Sequence, residues 1–425
     1  MRRKRSFIYP LIFALLTLSW SCKKSSDISP KVTLLSPAAG SNYTFGDTIR
    51  VTAEIEDSDG NYLLNVYEGS RSLGLSTRKV SSSGTTTNFE VYYDRKDISR
   101  GNYELKLTAY NGESRDSDFS NIYLEEVPQE FLGLMLLGEG SSGANLIKLD
   151  ASLNNQNIAL QGDYKYLAFS ASQEIAMAAP VSDGRLKGFS VQPFGEVYSI
   201  NPTVPSGAPL YTGLVNADDH IFALSENGEL KAYGQNGSVE RSLQLAADKL
   251  PVCGCYSNEG LVLCVKVRGT SNYVLQLLNP ITGAVLKEKP VPHQIVDVIN
   301  PSQGLYSVAM KRSGQTVLGN YRPATNTFTQ TFTISGSPLC MMDIKDGEAL
   351  ISTTTGVQFF KPESGAMPTG VFSVTAIDMD YDPVNRNIYL VNGSNLYRGT
   401  LSGGGESFVF QTSVSLKQVQ VVLNK

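Results

Sequence analysis

Residues 374–414 read VTAIDMDYDPVNRNIYLVNGSNLYRGTLSGGGESFVFQTSV. Four short apolar runs stand out: Val374 to Met379, Ile388 to Val391, Leu396 to Leu401 and Phe408 to Val414. Between them lie Asp382-Pro383, Asn392-Gly393-Ser394-Asn395 and Gly403-Gly404-Gly405, residue types that favour tight turns. The runs are too short for helices and carry no 3.6-residue period, so the stretch predicts four antiparallel strands joined by three turns.

Upstream, the same unit recurs. The apolar residue that opens its second strand is Ile388 here and Leu132, Ile175, Ile221, Leu261, Leu305 and Ala349 before it, spaced on average about 43 residues apart. That is the spacing of four-stranded propeller blades. In five units a strand residue lies eight positions before this anchor, at Leu167, Gly213, Cys253, Asp297 and Met341, which implies a short hairpin in each. The first unit begins at Phe131 with no innermost strand before it, while the chain ends in an unpartnered alternating run, Val419, Val421 and Leu423. A blade left without neighbours would expose apolar faces and strand edges. The expected architecture for 128–425 is therefore a seven-bladed β-propeller closed by the C-terminal strand.

With 425 residues there is room for a further domain, and 38 glycines, 19 prolines and 21 tyrosines suit a turn-rich β protein. Residues 31–127 form a separate alternating segment, with Ile49, Val51, Ala53 and Ile55 on one strand and Tyr103, Leu105, Leu107 and Ala109 on another. This pattern predicts a β-sandwich, so the whole chain reads as all-β.

The first residues carry an address. Arg2, Arg3, Lys4 and Arg5 precede an apolar core from Phe7 to Leu18, too short to span a bilayer stably, and then Ser19-Trp20-Ser21-Cys22. Residues 1–21 therefore read as an export signal, and 22–30, opening Lys23-Lys24-Ser25-Ser26-Asp27, as a polar tether. The net charge of the chain is −4; losing four basic and no acidic residues with the signal brings it to −8, which disfavours non-specific nucleic-acid binding.

The cysteine after a small residue, followed by a polar tether, resembles a bacterial lipoprotein signal, and the Lys-rich then acidic start is similar to lipoproteins of the Bacteroidota. The resemblance implies that Cys22 is lipidated and that the protein is anchored at the outer membrane, periplasmic or surface-exposed. In 31–127, Ser36-Pro37, Gly40, Phe45-Gly46-Asp47, Asp57-Ser58-Asp59-Gly60, Val66-Tyr67, Gly69 and Gly101-x-Tyr103 resemble bacterial immunoglobulin-like domains, which implies a spacer or adhesion module. Ile377-Asp378-x-Asp380-x-Asp382-Pro383-x-Asn385-x-x-Ile388-Tyr389 resembles blades of lactonase-like, gluconolactonase-like and YWTD-type propellers.

The only tryptophan, Trp20, lies in the signal, which argues against WD40, quinoprotein and Asp-box propellers. HExxH, GxSxG and phosphate-binding glycine loops are missing, and no cofactor is expected. Glu56, Asp57 and Asp59 do not complete an EF-hand loop, and an Asp-Gly turn uses such residues for backbone reasons.

Topology sorts the remaining candidates. In a propeller, the loops leading into the innermost strands share one face with the loops between second and third strands. Tyr164, Tyr166, Tyr211, Arg268, His293 and Arg312 fall on that face by loop position and are candidate contacts for a protein or glycan partner. His220 falls near the opposite end, too far from His293 to share a metal or a proton relay. Asp297, Asp343, Asp378 and Asp380 fall on innermost strands, where they would either bind a cation and act as acid and base, or accept backbone hydrogen bonds.

If the turn of one hairpin centres on Asn258-Glu259, Cys253 faces Cys264. A disulfide is then a candidate in an oxidising envelope, with buried thiols as the alternative. Cys253-x-Cys255 has no second ligand pair at zinc spacing.

Two functional readings follow. One is a non-catalytic envelope lipoprotein that displays a propeller face to a protein or glycan. The other is a metal-assisted hydrolase or lactonase-like enzyme using the channel carboxylates with His293.

Overall fold

A computed structural model describes residues 29–424 except 57, 97, 113, 142, 203–209, 218–219, 346 and 403–404. Cys22, the export signal and Asp57 lie outside the described residues. Among the described residues every regular element is a β-strand, and the chain divides into two compact units after Pro128. No helix among the described residues is long and apolar enough to cross a membrane.

The first unit has two sheets. One orders the strands Lys31–Ser36, Thr48–Glu56, Thr86–Tyr92 and Ser76–Ser83; the other orders Ser41–Tyr43, Ser114–Leu124, Gly101–Asn111, Asn61–Glu68 and Arg71–Ser72. Alternation decides the core: in Thr48–Glu56, Ile49, Val51, Ala53 and Ile55 are buried, and they meet Leu105, Leu107 and Ala109 from the second sheet. The edge strand Lys31–Ser36 is held from across the core, because the Val32 and Leu34 N–H groups donate to the Asp116 and Asp118 carboxylates, each at 2.8 Å.

The second unit is propeller-like: its described residues form seven four-stranded antiparallel sheets that, apart from the C-terminal strand, follow one another in sequence. The seven inner strands are Ser415–Leu423, Tyr164–Ser170, Tyr211–Ala217, Lys249–Ser257, Gln294–Ser302, Pro338–Lys345 and Asp378–Asp382. Each anchor residue of the repeat lies at the first or second position of its sheet's second strand. Seven apolar clusters join consecutive sheets; the one with Leu134, Leu136 and Ile147 of the first sheet also holds Tyr389, Val391 and Leu396 of the seventh.

Ser415–Leu423 is the inner strand of the first sheet. It pairs with Phe131–Gly140, placing Val421 opposite Leu134 and Val419 opposite Leu136. It packs beside both Tyr164–Ser170 and Asp378–Asp382.

The seventh sheet starts later than its sequence suggests, at Asp378 instead of Val374. Residues 374–377 cross over from the sixth sheet instead, and their N–H groups are satisfied elsewhere: Val374 by Glu406, Ala376 by Ser352 Oγ and Ile377 by the Val391 carbonyl.

Candidate functional site

The four candidate carboxylates all stand on inner strands, Asp297 on the fifth sheet, Asp343 on the sixth, Asp378 and Asp380 on the seventh. An innermost strand has one edge without a ladder partner, and its outward N–H groups need acceptors. Three of the aspartates serve that need across sheets. Met341 N–H donates to Asp297 Oδ2 at 2.8 Å, Val419 N–H to Asp378 Oδ2 at 2.9 Å and Val421 N–H to Asp380 Oδ2 at 2.5 Å. Gln418, which carried no signal in the sequence, does the same for Leu167 N–H.

Burial raises all four carboxyls. Asp297 is pushed up to about 6 and Asp380 to about 7, chiefly by desolvation and against the pull of their backbone donors. Asp378 lies well above the usual carboxylate range for the same reason, with Asp380 and Asp297 adding repulsion. Asp343 reaches water yet is still walled by protein, and its carboxyl is raised as well.

Among the described residues no group of three or more His, Cys, Asp or Glu side chains is placed to hold a metal ion. The expected convergence with His293 does not occur: His293 lies in the loop between Val285–Val291 and Gln294–Ser302, and neither Asp297 nor Asp380 has it as a partner. His220 is buried at the start of its sheet's second strand and pairs with Glu240.

The loop-face candidates split. Arg312 is exposed at the end of Leu305–Arg312, Tyr166 and His293 are half-buried, and Arg268 is tied to Glu226, whose carbonyl accepts from its guanidinium. Tyr164 and Tyr211, expected as surface contacts, are instead core residues at 2% and 5% exposure. Tyr164 donates to the Arg185 carbonyl at 2.6 Å and its phenol is pushed up to about 12 by burial; burial raises Tyr211 too. Each opens an inner strand, where the ring tucks between sheets, so position along the loop did not report side-chain direction.

The cysteine register is as read from the turn, with Cys253 opposite Cys264. The disulfide is not formed. Both thiols are free, as are Cys255 and Cys340. Cys264 is fully enclosed between the fourth and fifth sheets, and burial holds its thiol well above the usual range, which suppresses the thiolate that disulfide exchange needs.

On the face opposite these loops, the turn between the first two strands of the seventh sheet stands between two clefts. One, of about 660 Å³, is lined by Tyr381, Pro383, Arg386, Thr400 and Leu401 together with Glu348 of the sixth sheet. The other, of about 510 Å³, is lined by Phe131, Asn385, Asn387, Tyr389 and Arg398. The sequence marked Asp382-Pro383-x-Asn385 as a turn, and that signal led only to fold.

No family model and no curated protein matches the chain. Among solved structures, a protein from Lactobacillus plantarum aligns with a TM-score of 0.52 at 14% identity, covering 68% of this chain and 99% of that one. A functionally unknown protein from Desulfotomaculum acetoxidans aligns with a TM-score of 0.51 at 11% identity, covering 68% of this chain and 98% of that one. The β-propeller domain of Swd1 from Myceliophteria thermophila aligns more loosely, with a TM-score of 0.44 at 10% identity over 59% of this chain and 86% of that one. At such identities the likeness concerns fold alone.

Proposed function

We propose that this is a lipid-anchored protein of a bacterial cell envelope, built as an immunoglobulin-like spacer followed by a closed seven-bladed propeller, and that it acts without catalysis by presenting a rigid propeller face to an envelope protein or glycan. The observation that carries the non-catalytic reading is the use of Asp297, Asp378 and Asp380 as acceptors for backbone N–H groups of neighbouring inner strands. A carboxylate spent on lacing strands is poorly placed to shuttle protons to a substrate.

The closed ring is supported by the apolar cluster shared between the first and seventh sheets. The immunoglobulin-like assignment is supported by strand order, which follows the A-B-E-D and G-F-C arrangement, and by Tyr103, whose hydroxyl donates to the Ser99 carbonyl at 2.6 Å near the start of the F-equivalent strand. Membership among Bacteroidota lipoproteins rests on the signal and tether alone.

The reading is tested by capture from cross-linked cells with the anchored protein as bait. Enrichment of a defined envelope protein or glycan is expected; stoichiometric Ca²⁺ or Zn²⁺ in the purified protein, with hydrolysis of a lactone or ester panel, would overturn it in favour of the lactonase-like alternative. The anchor has its own check. Cys22→Ala is expected to move the protein from the membrane pellet to the soluble fraction, since stable attachment needs the acyl chains; unchanged partitioning would remove the lipoprotein assignment.

A further inference from the structure

We propose that the turn Asp382 to Asn387 and the clefts on either side of it form a binding site for an acidic saccharide, a chain bearing hexuronate carboxylates. The inference rests on the binding-module reading and moves the contact surface to the face opposite the loops singled out from sequence.

The turn is rigid. Asp382, with no exposure, accepts from Val384 N–H at 2.9 Å, from Asn385 N–H at 3.1 Å and from the Asn385 side-chain amide at 2.8 Å. This holds Arg386 in the left-handed region, at φ 58°, a conformation that disfavours a long side chain. Arg386 is thus presented on a preformed support at the rim of the larger cleft.

Charge favours an anion. Glu348, the acid in the larger cleft, is neutralised by Lys361 at 2.7 Å, whereas the Arg386 guanidinium has no hydrogen bond or ion pair among the described residues. The smaller cleft is lined by Glu130 and by the exposed Arg398. Each cleft thus carries one arginine, in a chain whose net charge is −4. A guanidinium fork pairs with a planar carboxylate through two parallel bonds.

Shape favours a sugar over a simple anion. In the smaller cleft the half-buried Phe131 ring is backed in parallel by the buried Tyr389 ring, centroids 5.9 Å apart and planes 7° apart, and the half-buried Tyr381 and Pro383 line the other cleft. Flat apolar rings suit the C–H faces of pyranoses, while Asn385, Asn387 and Thr400 suit hydroxyls. A lone phosphate would use neither platform. Two arginines without a basic stripe do not suit a nucleic acid.

The test is calorimetric titration of the full-length protein with tetragalacturonate and an alginate-derived tetrauronate, against cellotetraose and inorganic phosphate. At least one uronate tetramer is expected to bind, more weakly as salt rises, with the two controls silent at the same concentration. Arg386→Gly is the decisive variant, because glycine suits φ 58° and the turn is kept while the cation is lost. It is expected to weaken uronate binding at least tenfold with an unchanged or raised Tm, and Arg398→Ala to weaken it as well.

Failure of both uronates to bind, equal binding of cellotetraose, or unchanged affinity in Arg386→Gly would each overturn the site. If the bait still captures an envelope partner in that event, the display reading stands and only this site falls.

Discussion

Truncation after Val414 is expected to abolish cooperative folding of the C-terminal unit. The strand removed, Ser415–Leu423, buries Leu416, Val419, Val421 and Val422, none more than 7% exposed. At about 1.5–3 kcal/mol for each aliphatic side chain, their loss amounts to roughly 6–12 kcal/mol, comparable to the entire stability of an ordinary domain. It also strips the ladder from Phe131–Gly140 and bares a long apolar edge, which invites aggregation. Soluble yield, near-UV circular dichroism and denaturant unfolding of the 1–414 variant check this. A truncated protein that unfolds cooperatively at the wild-type midpoint would show that the strand is dispensable.

The second large effect concerns pH, and its sign is unusual for carboxylates. Asp380 is raised from 3.8 to about 7 in the folded protein, so the native state holds its proton more tightly than the unfolded chain does. The associated stability is fully present below the unfolded value and is lost as pH rises through the folded one, between about 4 and 7. Asp297, raised to about 6, works in the same direction.

Asp380→Asn removes the titration while keeping an acceptor for Val421 N–H; it leaves Tyr381 N–H, now bound at 2.8 Å, without its second oxygen. At pH 5 the variant is expected to be about 1 kcal/mol less stable than wild type, the loss of one hydrogen bond. At pH 8 it is expected to be more stable, by roughly 1–3 kcal/mol after allowance for the water that reaches the group. Urea titrations at the two pH values give the difference directly, and a variant that tracks wild type at both would refute a buried, reluctant Asp380.

These two expectations meet at one seam. Asp378 and Asp380 hold the amides of the C-terminal strand to the seventh sheet. The same strand holds the second sheet through Gln418. Its inward edge is therefore capped by side chains where no further strand can add.

Much of this architecture was legible in the residues. Strand number, the 43-residue spacing, the Cys253–Cys264 register and the need of Val419, Val421 and Leu423 for a partner all follow from local alternation and turn chemistry, which act over a few neighbouring residues. The site was not legible to the same degree. Whether Asp297 or Asp380 serves as acid, ligand or amide acceptor depends on which backbone faces it from another sheet. Tyr164 and Tyr211 went into the core, and Cys264 is enclosed with its thiol free, because burial is set by sheets that pack from distant parts of the chain. Arg386, in the turn between the first two strands of the seventh sheet, and Arg398, on its third strand, line two separate clefts only once that sheet lies between the sixth and the first. Periodicity is a property of the chain taken a few residues at a time; desolvation and convergence belong to the packed sheets, and it was these that decided where the chemistry sits.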